Sequence, residues 1–320
     1  MRAAVLTEPG QPPLHAEHPD PVGPTIVAVT AAPIVPLDQL CASGTSYFGR
    51  PATPYVPGTQ GVGVAERSGA HAPGTRVFVA TTAGILPGDG TLAERCAVPD
   101  DAVVPVPDGV TDVDAAALGL SAVAAWMCLT DRGRLQPGET VLVLGAGGAV
   151  GQVAVGAAKA LGAGRVVAVA RSAAAQERAR ERGADVVVPL SGDVDALASA
   201  LTDACGGGAD VVVDPVFGTA ATAASRVLAP RGRLVNLGGA SGDVAEFSSA
   251  VLRSRTAEVL GYTNATLTAG QRRAALEQVF RLAAEGRLSV AAEQVPLAEV
   301  TAAWERQAAG QAPARLVLIP

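Results

Sequence analysis

The chain has 320 residues, 49% of them apolar, and a formal net charge of −6 at pH 7. This length accommodates one large or two medium domains with an ample core, and an acidic balance without a basic block argues against nucleic acid as a main partner. No apolar run is expected to reach the roughly 18–20 residues of a membrane span. The four cysteines, Cys41, Cys96, Cys128 and Cys205, have neither metal-ligand nor redox spacing and read as reduced thiols of a cytoplasmic protein.

The first residues turn polar at Thr7-Glu8, too soon for a signal peptide, and read as an opening strand. Short β-type runs at 25–30, 61–65, 76–79 and 96–98 are separated by Gly and Pro, so the first 110 residues read as a β-rich domain. Thr111-Asp112-Val113-Asp114 is a helix start, with a helical stretch expected to about residue 131. Strands and helices then alternate: strand 141–144, helix to 161, strand 165–170, helix 172–182, strand 186–189, helix 194–204, strand 210–214, helix 219–228 and strand 233–237. Such alternation implies a parallel, doubly wound sheet. Thr268 is a cap for an amphipathic helix over 269–285, and the tail returns to strand, helix (297–308) and strand (314–319). The expected fold class is α/β: a doubly wound nucleotide domain at 116–265, inserted into a β-rich domain made of 1–115 and 266–320.

The most telling segment is the apolar run Val141–Leu144 followed by Gly145-Ala146-Gly147-Gly148-Ala149-Val150-Gly151. A buried strand, a tight glycine turn and a helix start form the seat of a dinucleotide's pyrophosphate, because glycines admit close approach and the helix N-terminus offers free N–H donors. The strict G-x-G-x-x-G pattern would need glycine at position 150, where valine stands; the glycines run instead as Gly145, Gly148 and Gly151. A site for NAD usually ends its second strand in Asp or Glu, for the ribose 2′-hydroxyl. Here the strand ends in Ala170-Arg171-Ser172, a small, then cationic, then hydroxylic end that suits a 2′-phosphate, so NADPH is the expected cofactor. The competing reading makes Arg171 a solvated helix start with Ser172 as its cap.

Further segments, in order and spacing, carry a resemblance across nearly the whole chain. They are Pro33-Ile34-Val35-Pro36-Leu37-Asp38, Ser43-Gly44-x-x-Tyr47, Val56-Pro57-Gly58-Thr59-Gln60-Gly61, Gly90-Thr91-Leu92-Ala93-Glu94, the glycine turn, Gly208–Asp214 and Gly232–Gly238. With them the chain resembles the medium-chain dehydrogenase/reductase superfamily, and within it the zinc-free quinone oxidoreductase and enoyl reductase branch. The resemblance implies a GroES-like catalytic domain beside a Rossmann nucleotide domain. Zinc-dependent relatives place a Cys ligand where Val35 stands and a His-Glu pair where Thr59-Gln60 stands; valine and threonine cannot replace thiolate and imidazole, so no metal is expected.

The resemblance also implies roles. Tyr47 matches a catalytic tyrosine of enoyl thioester reductases, which holds a carbonyl oxygen or delivers a proton, or else forms only a pocket wall. Val216 and Phe217 flank the adenosine half, Leu237 and Gly238 bring backbone to the nicotinamide, and Tyr262 and Asn264 approach the same end. Val35 and Ala124 stand where the branch commonly carries Asn and Thr, which makes the substrate pocket more apolar; Asn264 is a candidate to supply the missing amide. Asp38 reads as a structural cap. The expected function is NADPH-dependent reduction of a small conjugated carbonyl, a quinone or enone, with a polyketide-type substrate among the candidates. The alternatives are a non-catalytic NADPH-binding scaffold and an enoyl thioester reductase. A homodimer joined near 258–262 is implied by the same resemblance.

Overall fold

The computed structural model describes residues 1–320. In chain order the elements are β1 (Arg2–Val5), β2 (Leu14–Glu17), β3 (Thr25–Pro33), α1 (Pro36–Ser43), β4 (Gln60–Arg67), β5 (Arg76–Ala80), β6 (Arg95–Val98), β7 (Val103–Pro105) and α2 (Asp112–Met127). There follow β8 (Thr140–Val143), α3 (Ala149–Ala160), β9 (Arg165–Ala170), α4 (Ala173–Glu181), β10 (Val186–Pro189), α5 (Val194–Cys205), β11 (Ala209–Asp214), α6 (Gly218–Ser225), β12 (Leu228–Asn236), α7 (Ser249–Arg255) and β13 (Glu258–Gly261). The chain closes with α8 (Ala269–Ala284), β14 (Ala292–Pro296), α9 (Val300–Ala308) and β15 (Arg315–Ile319). Contacts divide it into two units, Met1–Leu120 with Val290–Pro320, and Ser121–Ser289. The sequence reading placed the second crossing at 265/266; the contacts place it after Ser289, which puts α8, with Leu276, Val279 and Phe280 buried, in the second unit.

The first unit is a mostly antiparallel sheet in the order β14-β15-β3-β4-β5-β7, with β6 paired to β3. β3 has partners on both sides and is buried along nearly its whole length, which its Ile, Val and Thr content suits. The second unit is a parallel sheet in the order β10-β9-β8-β11-β12-β13. Strand order reverses between β8 and β11, and in such sheets ligands bind outside the carboxyl ends of the strands at that switch point. Leu142, Leu144, Val167, Val212 and Leu234 fill its core.

Two short helices, α1 and α7, are missing from the sequence reading: neither is long enough to show a helical apolar stripe. The stretch over Asp112–Arg132 also corrects an expectation, since it is long and apolar enough to cross a membrane by composition alone. It is instead largely buried in protein, broken at Gly119 (φ 39°, ψ −138°) and finished by a π-turn over Cys128–Arg132.

Two buried polar side chains hold the first unit at its bends. At the break in α2, Gln60 Nε2 donates to the Ala116 carbonyl (2.9 Å) and its Oε1 accepts from the Leu120 N–H (2.7 Å). In an unbroken helix those two backbone groups would bond to each other; the Gln60 amide stands between them. A Cβ on Gly119 would lie 2.2 Å from Gln60 Nε2, so only glycine leaves the amide room. Asp38 is 1% exposed. Its Oδ2 accepts the Val35 N–H (2.9 Å) at the start of α1, and its Oδ1 accepts the Thr59 N–H (2.8 Å) just before β4. The structural-cap reading of Asp38 is therefore what the structure displays, with a second segment tied in. Burial pushes its carboxyl up to about 6, against the two N–H bonds that favour the anion and the nearby positive charge of Arg315.

Gln60→Leu strands a buried carbonyl and a buried N–H and is expected to cost about 3 kcal/mol in urea unfolding; a loss under about 0.5 kcal/mol would show the amide to be dispensable. For Asp38 the folded pKa lies above the ordinary 3.8. Its contribution to stability is thus full below about pH 4 and is lost as pH rises through about 6. The stability of Asp38→Asn relative to the native chain should rise between pH 4 and pH 7, above a constant offset for the lost acceptor; a flat difference would refute the assignment.

Candidate functional site

In the second unit the glycine turn follows directly from β8. The Leu144 N–H still donates to Val213 (3.0 Å), the Ala146 N–H donates to the Val169 carbonyl (2.9 Å), and the Gly148 N–H turns back to Gly145 (3.1 Å). Gly145 has φ +62°, and a Cβ there would stand 2.7 Å from Val216 Cγ1. A Cβ on Gly151 would lie 2.4 Å from the Gly145 carbonyl oxygen. Gly151 thus supplies the close helix–strand approach, and Val150 is free to be a valine. Gly148, by contrast, is exposed and its Cβ position is open apart from one contact at 3.6 Å.

α3 begins at Ala149 with Gly148 as its N-cap and no capping side chain. The first helical bond is that of the Gln152 N–H to Gly148 (2.9 Å). The N–H groups of Ala149, Val150 and Gly151 therefore lack partners within the helix, and the positive end of the helix dipole lies on the same side. This is an anion seat of the kind a pyrophosphate fits. At the end of β9 Arg171 is exposed, and Ser172 caps α4 by accepting the Ala175 N–H on its Oγ (3.2 Å). The two readings of Ser172 are compatible, because a capping hydroxyl still has a lone pair and a proton to offer.

The loops after β11, β12 and β13 converge on a buried acid. Asp214 is fully buried. Its Oδ1 accepts the N–H groups of Val216 (3.0 Å) and Phe217 (2.8 Å), and burial nevertheless pushes its carboxyl upward. Asn236 Nδ2 donates to the Asp214 carbonyl (3.1 Å) and the Gly238 carbonyl (2.7 Å), and the Leu237 N–H donates to the Asp214 carbonyl (3.0 Å). These bonds hold Phe217 at φ 57°, ψ −151°, a region that glycine alone occupies cheaply. Its ring meets Phe247 edge-on, with centroids 6.1 Å apart. The Tyr262 N–H donates to the Asn236 carbonyl (2.8 Å), and the Tyr262 hydroxyl donates to Asn264 Oδ1 (2.6 Å). Val216, Phe217, Leu237, Gly238, Tyr262 and Asn264 are thereby joined through Asp214 and Asn236, which the sequence reading did not single out. An acid and an amide ending adjacent parallel strands were the available signal.

In the first unit Val35 is the N-cap of α1, 6% exposed, with its N–H held by Asp38. Tyr47 lies in the loop after Gly44, is 78% exposed, and its ring tilts against Phe48 at 4.2 Å. A second tyrosine was missed. Tyr55 is 5% exposed, and its hydroxyl stands 2.9 Å from the position of a Gly84 Cβ. Burial, then Cys41 and Asp38, push its phenol upward, and burial pushes the Cys41 thiol up to about 11. Its place beside the Val56-Pro57-Gly58 motif could have flagged it.

Residues 22–108 match the alcohol dehydrogenase GroES-like domain family and residues 149–285 match the zinc-binding dehydrogenase family. Quinone oxidoreductase-like protein 2 of Rattus norvegicus is 33% identical over 268 residues, covering 81% of this chain and 74% of that protein. A phenolphthiocerol/phthiocerol polyketide synthase chain of Mycobacterium tuberculosis is 34% identical over 206 residues, 63% of this chain; the match spans only 9% of that protein's length. A mycobacterial structure complexed with NADPH superposes with a TM-score of 0.88 at 26% identity, over the whole of both chains. The switch-point glycine turn, the two matched families and the relatives lead to one conclusion: the chain belongs to the medium-chain dehydrogenase/reductase superfamily, in its quinone oxidoreductase branch.

Proposed function

We propose that the protein is an NADPH-dependent, zinc-independent reductase of conjugated carbonyls, a quinone or an enone. The observation that carries this reading is the exposed cationic end of β9, Arg171-Ser172, beside an anion seat built from Gly145, Gly148 and the first N–H groups of α3. The residues fit the dinucleotide: Gly148 leaves the space a Cβ would take, and the helix start leaves three donors unspent. The NADPH-bound mycobacterial relative supports the same cofactor. When bound, NADPH supplies the hydride that reduces an electron-poor carbon.

The chain's own residues bind and orient. Ala149, Val150 and Gly151 hold the pyrophosphate through backbone N–H groups, and Arg171 and Ser172 hold the 2′-phosphate. Val216, Phe217, Leu237 and Gly238 shape the wall of the nucleotide site, with Tyr262 and Asn264 toward the nicotinamide end. Tyr47 supplies the hydroxyl that holds the acceptor's carbonyl oxygen and delivers a proton to it; its exposure leaves that hydroxyl open to a ligand. Val35 and Thr59 offer a hydrocarbon and an alcohol where zinc relatives offer thiolate and imidazole, so electrophilic help comes from hydrogen bonds. The polyketide synthase relative favours a second reading, in which the acceptor is an enoyl thioester. Four buried, unpaired cysteines fit a reducing, cytoplasmic setting.

β13 pairs only with β12, and Val259 on it is 38% exposed, so the open edge suits a second copy of the chain. Light scattering should give a homodimer that Val259→Lys weakens; a monomeric native protein would refute this. Purified protein should bind NADPH more tightly than NADH and oxidise it with a small quinone or a cyclic enone. Tyr47→Phe should lower turnover about 100-fold with NADPH affinity unchanged. Tight binding with no turnover on quinones, enones or an enoyl thioester would replace the reductase with a non-catalytic scaffold.

A further inference from the structure

The second unit holds an arginine whose surroundings no other part of the site explains. On α4, Ala175 presses so closely on the glycine turn that a Cβ on Gly147 would lie 2.3 Å from its own Cβ. Arg178 is the next residue on that face, three positions on. Long side chains on a helix lie back over the turn N-terminal to their own Cα. The Arg178 guanidinium accordingly reaches the glycine turn, with Nη2 3.7 Å from the Gly147 Cβ position. It is half-buried, and its Nε is enclosed without a hydrogen-bond partner. Arg180 on the same helix pairs with Glu177 at 2.9 Å; Arg178 has no such carboxylate.

A half-buried guanidinium with no carboxylate beside it is stabilised by an anion within reach of its Nη groups, and Nη2 is the atom that faces the glycine turn. The neighbouring features all suit one: the open Gly148, the unspent N–H groups of α3, and Arg171 at the end of β9. We propose that Arg178, half-buried where Arg171 is exposed, would be a second guanidinium for the 2′-phosphate of NADPH. Two guanidinium groups around one phosphate give charge-assisted bonds that a 2′-hydroxyl cannot repay, so Arg178 sets the choice of NADPH over NADH. This assignment rests on the proposed cofactor and adds the residue that selects it.

The test is fluorescence titration of native protein, Arg178→Gln and Arg171→Gln with NADPH and with NADH, beside thermal melts of the free proteins. Arg178→Gln should raise the Kd for NADPH 10- to 100-fold and leave that for NADH within about 2-fold. The free variant's melt should stay within a few degrees of native. If both cofactors weaken equally, Arg178 serves the pyrophosphate or the fold, and the assignment is wrong. A native preference for NADPH with an unchanged Arg178→Gln also removes it, while leaving the cofactor reading intact. Native preference for NADH removes both.

Discussion

The nucleotide site depends on one steric condition: the backbone of α3 must come within contact distance of the end of β8. With a Cβ at Gly151 that approach is blocked by the Gly145 carbonyl at 2.4 Å, and with one at Gly145 by Val216 at 2.7 Å. Once both are glycine, the first N–H groups of the helix are delivered to the crevice where the strand order reverses, and the loop after β11 is seated against the same turn. The departure from the usual glycine spacing at Val150 is then harmless, because position 151 does the packing.

Around that turn the second unit uses buried polar groups as fasteners. Asp214 gathers the N–H groups of Val216 and Phe217, and Asn236 ties Asp214 to Gly238. The cost of burying the acid is visible in its raised carboxyl, and part of the strain at Phe217 is held by the same two bonds. A side chain in a backbone region that favours glycine gains an aromatic ring beside Phe247 in exchange. Such strain persists only where surrounding bonds over-determine it.

The first unit follows the same logic without a nucleotide. Thr59 and Gln60 meet at this point: the Thr59 backbone N–H goes to Asp38, and the Gln60 side-chain amide bridges the broken turn of α2. A glutamine amide, with both a donor and an acceptor, satisfies the two backbone groups left apart at that break.

The order of strands and helices, the glycine turn, the cap of α8 at Thr268 and the cationic end of β9 were legible in the sequence, because each is a local pattern within a few residues. Short elements were not: α1 and α7 are too brief to show a period. Nor could the chain alone show that Gln60 meets Ala116, that Asp214 gathers the loops around it, that Tyr55 is enclosed beside Cys41, or that Arg178 reaches Gly147. Most of those partners are far apart in sequence, and even where they are near, as Asp214 and Phe217 are, only burial gives the contacts their value. The amino-acid sequence by itself determined the family, the elements and the type of ligand seat, through steric and capping rules that act locally. Tertiary structure alone decided which polar groups lost water and therefore had to find partners, and that selection made structural fasteners of Gln60, Asp38 and Asp214 and left Arg178 without a partner.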